Sequence, residues 1–348
     1  MPAADKRISV VRAAMYFGTV IALTTSFGCS LTGGSRIRVG YLPTATFGVL
    51  FADPNNLGTH SSGIGFPDRG GIVYTCKGGH IDIDHVRGNA DNTRYLVNKL
   101  RKALSKQKKA FNFHITGERQ THKVKLTYPK DWKKRPDKEK IIDEIAFDTA
   151  PYLAFDATIW HEIGTWFGVH YALIEPEFNS AFSWEDIYSN LLGTQLGIEA
   201  MKDTEHSYDE AMTEALNRRL KELGIQSKST AIAASDKVRG QWYTGNFVPD
   251  VKMRNFDIGL DDGMVTPTLV PSVDDCHSKP LPLPVPTLDT LKRYGFSLTY
   301  EIKPNLLFEQ GRIFKAAGSK RIFPEIHFPI LIEYMKQKAA EKGYKYGE

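Results

Sequence analysis

Two stretches of the sequence concentrate side chains that can do chemistry. The first, GGHIDIDHVRGNAD at residues 78–91, places His80, Asp82, Asp84 and His85 within six positions, with Arg87 and Asp91 close behind. Imidazole nitrogens and carboxylate oxygens at this density can hold a divalent metal or move protons. An arginine beside them can steady an anionic substrate or transition state. The second stretch, PYLAFDATIWHEIGTWFGVHYALI at residues 151–174, has apolar residues on every face of a helix, yet carries Asp156, His161 and Glu162. In a core such groups are costly unless they are paired, hydrogen-bonded or bound to metal.

The pair His161-Glu162 starts like the zinc-protease motif H-E-x-x-H, which needs a second histidine four residues on. That position is Thr165, and His170 falls nine residues on, about 180° around a straight helix. A standard zinc protease is therefore excluded. What remains is a divalent metal such as zinc held by His85, His161 and Asp82. In that scheme Glu162, its pKa raised by burial, is the general base, and His161, His85 and Arg87 complete the catalytic group. The plainer reading is a hydrogen-bonded network without metal or catalysis. A nucleophile pair of Cys76 with a nearby histidine is the weakest candidate, because Cys76 falls on a strand rather than at a helix start.

The elements that must position these groups follow from pattern. GIVYTC (71–76) and HIDIDHV (80–86) are two strands around Lys77-Gly78-Gly79, with His80, Asp82 and Asp84 on one face and His85 turned inward. Asn89 or Asp91 then caps a helix whose buried stripe is Leu96, Leu100 and Leu104. Residues 111–118 and 122–129 form a hairpin, and the charged run 129–140 is a solvated loop or a contact for anionic lipid. A helix over 138–174 breaks or kinks near Pro151. Ser183 caps the next helix, with Ile187, Leu191 and Ile198 buried and Tyr188 and Asn190 in reach of the polar groups. Tyr208–Leu223 is amphipathic and ends at Gly224, residues 240–275 are loops, 279–286 is a polyproline strap, 296–303 a strand, and Pro329–Lys342 a last helix. The fold class is α+β, a single domain over 36–348 with a helical core and small antiparallel sheets or hairpins.

The N-terminus points to export. Lys6, Arg7 and Arg12 precede the uncharged run 13–27, and Ser26-Phe27-Gly28-Cys29 follows the pattern of a lipobox, though with Ser26 where Leu is usual. Residues 1–28 are thus a lipoprotein-like signal peptide, Cys29 the lipidated residue and 29–35 the tether to a membrane. Ser30 in place of Asp points to the outer membrane, facing the periplasm. Ordinary cleavage to a soluble product and an uncleaved anchor are the other outcomes. Cys76 and Cys276 pair in an oxidising compartment or stay as two buried thiols. The formal net charge is +5, of which the signal region supplies +2, too mild a balance to argue for nucleic acid.

The segments YTCKGGHIDIDHVRGNAD, IWHEIGTWFG and FSWEDIYSNLLGTQLG, in this order behind such an N-terminus, resemble a family of uncharacterised bacterial lipoproteins, domain of unknown function 4056. The resemblance spans roughly residues 36–340. It implies an envelope location and no particular reaction. It also implies that Asp82, His85, Arg87, Asp91, His161, Glu162, Ser183, Glu185, Asp186 and Asn190 belong to shared motifs. The expectation is an envelope lipoprotein with a binding or structural role toward an envelope partner. The alternative is a metal- or Glu/His-dependent hydrolase of peptidoglycan, peptide or lipid.

Overall fold

The chain turns from strand to helix at Asp82. A computed structural model describes residues 36, 38, 40–45, 50–62, 68–115, 120–168, 180–246, 249–304 and 309–346. The signal-peptide stretch, Cys29, most of the tether region and His170 lie outside the described residues. β1 (Ile72–Thr75) and β2 (Gly79–Asp82) pair antiparallel, with Ile72 opposite Asp82. α1 (Ile83–Ser105) begins at the next residue. The Asp82 carboxylate accepts hydrogen bonds from the backbone N–H groups of Asp84 and His85, two of the orphan donors of the first turn. The expectation of a strand to residue 86 is corrected by this cap, as is capping by Asn89 or Asp91. His85 accordingly does not share a strand face with Ile81 and Ile83; it lies in the first turn of a helix. The Leu96, Leu100 and Leu104 stripe is fully buried, as its spacing requires.

The hairpin of β3 (Ala110–Phe113) and β4 (Thr121–Thr127) follows, then α2 (Lys138–Phe167). α2 continues across Pro151 instead of breaking there and ends at Gly168. Burial of Ala146, Ala150, Leu153 and Ala154 around the proline outweighs the one backbone bond it removes. Among the described residues no helix is long and apolar enough to cross a membrane.

α3 (Asp186–Lys202) lies against α1 at very close range. A Cβ on Gly193 would stand 2.3 Å from the Val86 carbonyl oxygen, and one on Gly197 2.7 Å from that of Ala90. The glycines of LLGTQLG are what let the two backbones approach, and this seam sets the N-terminal ends of α1 and α3 side by side. α4 (Tyr208–Glu222), opened by a Ser207–Glu210 capping box, and α5 (Lys228–Lys237) come next.

The loop-rich stretch beyond contains β5 (Met253–Arg254) and β6 (Met264–Val265), the latter paired with β7 (Leu283–Pro284) of the proline-rich strap. After α6 (Asp289–Arg293), β8 (Ser297–Lys303) joins β4 to complete the antiparallel order β3-β4-β8. α7 (Gln310–Ala317), α8 (Pro324–Glu341) and the short β9 (Lys345–Tyr346), parallel to β5, end the described chain. This is an α+β domain with a helical core and small sheets around it.

Candidate functional site

The polar centre is assembled where the first turns of α1 and α3 meet. Asp82, His85 and Glu185 each offer a ligand atom, and these atoms lie within 4.8 Å of one another. His85 Nδ1 is 3.4 Å from Asp186 Oδ1 and 3.8 Å from Asp82 Oδ2.

Each carboxylate is oriented by the backbone or a hydroxyl. Asp82 accepts from the N–H groups of Tyr41, Asp84 and His85. Asp186 Oδ2 accepts from Ser183 N–H at 2.7 Å, and Glu185 Oε2 accepts from the Ser183 hydroxyl at 2.7 Å. The capping expected of Ser183 is therefore reversed, since Asp186 reaches back to the Ser183 backbone. Two buried atoms of the cluster make no hydrogen bond, His85 Nδ1 and Glu185 Oε1. A buried polar atom left this way costs about 1–3 kcal/mol, so both call for a partner.

The centre crowds several buried carboxyl groups together, which disfavours their ionised forms. Burial pushes the Glu185 carboxyl well above its ordinary range, and the nearby Asp186 and Asp82 add to the effect. Burial, then the Glu162 charge, pushes Asp186 up to about 8, with His85 opposing. Asp82 is raised by burial and partly restored by His85 and its three N–H donors. Carboxylates crowded out of water share a field that favours a bound cation.

A cover lies over the centre. A Cβ on Gly40 would fall 2.2 Å from His85 Nε2, so a larger residue there would have to displace the His85 ring. Tyr41, next in sequence, donates its N–H to Asp82, and burial raises the pKa of its phenol. The His85 side chain keeps 25% exposure, whereas Glu185 keeps 1%. Surface hollows of about 500 and 440 Å³ lie elsewhere, lined by residues such as Lys140 and Arg293, and Pro54 and Thr213.

Glu162 acts on this centre through the backbone. Its Oε2 accepts the Phe182 N–H at 2.8 Å, and Phe182 holds a left-handed φ of 55°. Arg254 donates to the Ala181 carbonyl, and Asn255 N–H to that of Phe182 at 2.9 Å. Glu162 and β5 thus clamp a strained loop that presents Glu185 and Asp186. Glu162→Ala is expected to destabilise the protein by about 1–3 kcal/mol in urea unfolding, because the Phe182 N–H is left unmatched. Glu162→Gln, which retains an acceptor, is expected to lose less; equal losses would contradict the clamp.

The other sequence candidates are placed differently. His161 is half-buried on α2, and its ring is not among the ligand atoms that converge with Asp82 and His85. Glu185 takes that place. Arg87 is turned into a separate network, where it donates to the carbonyls of Leu57, Gly58 and Arg69 and lies 3.7 Å from Asp68. Arg38 bridges Asp68, Asp84 and Asp91 in the same network, and His60 bonds Asp91 at 2.9 Å. These ion pairs fasten the segments before β1 onto α1. Asp84, of the first histidine-rich stretch, belongs there too, with burial raising it to about 6.

His80 is structural. Its Nδ1 accepts from the Trp184 indole and its Nε2 faces the Ala231 carbonyl, both at 3.2 Å, and burial lowers its pKa to about 4. Asn190 meets Asn89 at 2.6 Å, further along the seam, and the Tyr188 hydroxyl donates to Leu281 O rather than to the cluster. Cys76 and Cys276 are joined in a disulfide with Cα atoms 4.9 Å apart.

The signal that Glu185 carries was present in the sequence as an acid pair, Glu185-Asp186, at a helix start. It was masked because acids at that position are ordinary helix-start residues.

No curated protein and no solved structure matches the chain. The family described as Protein of unknown function (DUF4056) matches residues 51–268, which hold α1, all the cluster residues and the clamp; the chain belongs to this family.

Proposed function

We propose that the chain is a bacterial envelope lipoprotein, exported by residues 1–28 and held to a membrane by lipid on Cys29. Its Asp82–His85–Glu185 cluster serves as a binding centre rather than a hydrolytic one. The observation that carries the reading is the Cys76–Cys276 bridge, which ties two segments 200 residues apart. A bridge of this kind persists in an oxidising compartment and is rare where glutathione keeps thiols reduced. The basic and then apolar N-terminus ending in Gly28-Cys29 points the same way.

A binding role is favoured by the cover of Gly40 and Tyr41 and by the use of Glu162 as a backbone clamp. The second reading, a hydrolase of peptidoglycan, peptide or lipid, is favoured by the Asp186 carboxylate beside His85 and by the Glu162 charge felt at Asp186. Turnover there requires the cover to lift.

The placement is tested in cells by metabolic labelling with an alkynyl fatty acid. Labelled wild type and unlabelled Cys29→Ala, with Cys76 and Cys276 protected from thiol alkylation, are the expected results. An unlabelled wild type whose two cysteines both alkylate would overturn it.

A further inference from the structure

We propose that Asp82, His85 and Glu185 bind one divalent first-row transition ion, through His85 Nδ1 and one oxygen of each carboxylate. The inference rests on reading the cluster as a binding centre and names its ligand. Loss of the metal claim would leave the envelope placement untouched.

The free atoms are the first argument. A closed hydrogen-bonded network would satisfy its members, yet His85 Nδ1 and Glu185 Oε1 are buried without a hydrogen-bond partner. Both belong to residues whose ligand atoms converge.

The orientation of the carboxylates is the second. Glu185 has Oε2 fixed by Ser183 and Oε1 left over. Asp186 has Oδ2 fixed by Ser183 N–H and Oδ1 facing the imidazole. Asp82 is held by three backbone donors. In Glu185 one oxygen is anchored and the other presented, as outer-sphere hydrogen bonds do for metal ligands, whereas Asp82 is oriented through both oxygens, Oδ1 by Asp84 and His85 N–H and Oδ2 by Tyr41 N–H.

The spacing is the third. Ligands at about 2.1 Å from a tetrahedral ion are separated by about 3.4 Å. His85 Nδ1 already lies 3.4 Å from Asp186 Oδ1 and 3.8 Å from Asp82 Oδ2. The ligand atoms of Asp82, His85 and Glu185 all lie within 4.8 Å of one another, a spread that a bound ion closes by side-chain rotation.

The donor set decides the class of ion. An imidazole among carboxylates suits Zn²⁺, Mn²⁺ or Fe²⁺, whereas Mg²⁺ and Ca²⁺ prefer oxygen throughout. His161, the second histidine that the sequence suggests, is replaced by Glu185, so the site is richer in carboxylate than a zinc-protease site.

The full-length chain, purified in detergent, stripped with chelator and dialysed, is titrated separately with Zn²⁺, Mn²⁺, Mg²⁺ and Ca²⁺. Bound ion is then counted by elemental mass spectrometry. The expected result is about one Zn²⁺ or Mn²⁺ per chain, with affinity reduced about tenfold or more in His85→Gln and in Glu185→Gln and unchanged in His161→Ala. Binding that survives both substitutions, or is lost equally in His161→Ala, would overturn the assignment. Because Glu185→Gln can disturb the loop it sits on, wild type is also loaded with Co²⁺. Visible d–d absorption bands of a nitrogen- and oxygen-ligated ion, with a raised melting temperature, are expected. A spectrum like that of aqueous Co²⁺ with an unchanged melt would contradict the site.

Discussion

Replacing Cys76 and Cys276 together by serine is expected to lower stability by about 3–5 kcal/mol. The bridge closes a loop across a sequence separation of 200, long enough that the chain-entropy account assigns it about 5 kcal/mol. Its position explains why the folded state needs it. Cys76 opens the turn between β1 and β2, which is docked through Cys76 N–H to Gly224 O at 3.0 Å and Lys77 N–H to Leu223 O at 3.0 Å. Cys276 lies in the stretch between β6 and β7, which has little regular structure of its own. The bridge therefore fastens a loop that few backbone ladders hold. Urea unfolding of the oxidised, reduced and double-serine proteins measures the effect. A difference below about 1 kcal/mol would mean that the loop is held by its packing instead.

Asp156→Asn is expected to stabilise the protein at pH 8 and to flatten its pH dependence between pH 4 and 8. Asp156 is buried in α2; burial pushes its carboxyl up to about 8, the Tyr152 hydrogen bond opposes this, and Glu325 of α8 adds to it. In the unfolded chain the same carboxyl ionises near its ordinary 3.8. Between these values the folded state holds a proton that the unfolded state has released. The contribution of Asp156 is full below about pH 4 and is lost as pH rises toward 8, at up to about 1.4 kcal/mol per pH unit. Asparagine carries no charge to desolvate. Melting temperatures of wild type and Asp156→Asn from pH 4 to 9 should therefore diverge with rising pH, by the equivalent of a few kcal/mol at most. Parallel curves would show that Asp156 does not keep its proton in the fold. Glu185 and Asp186 are raised in the same sense and are present in both proteins, so the difference isolates Asp156.

Most of the fold was legible because its elements carry clear local signals. The Leu96–Leu100–Leu104 period, the amphipathic run Tyr208–Leu223 ended by Gly224 and the alternation in β4 each name an element without help from the rest of the chain. The errors fall where one residue decides between two patterns. HIDIDHV alternates like a strand through His85, but Asp82 satisfies the first helical N–H groups and ends the strand there. Pro151 marks a break by its chemistry, yet a helix buried on most sides absorbs the lost bond.

The candidate site was half legible. Asp82, His85 and Glu162 stood out as ionisable groups among apolar neighbours; the structure brings Asp82 and His85 together and sets Glu162 behind the loop that carries Glu185 and Asp186. Arg87 stood out for the same reason and serves another network. The two were inseparable in sequence because the start of α1 sends different faces to different partners, His85 toward α3 and Asp84, Arg87 and Asp91 toward the segment before β1. Gly40 could not be recognised at all, since its role depends on a close approach to His85 from 45 positions away.

The central claim is that the meeting point of α1 and α3 is an ion-binding centre and not a closed polar network. The most direct measurement is anomalous diffraction at the zinc or manganese edge from crystals grown with that ion. The account predicts one strong peak about 2.0–2.2 Å from His85 Nδ1 and from oxygens of Asp82 and Glu185. A well-ordered cluster with no peak, its Glu185 oxygen and His85 nitrogen satisfied by water or by each other, would contradict it.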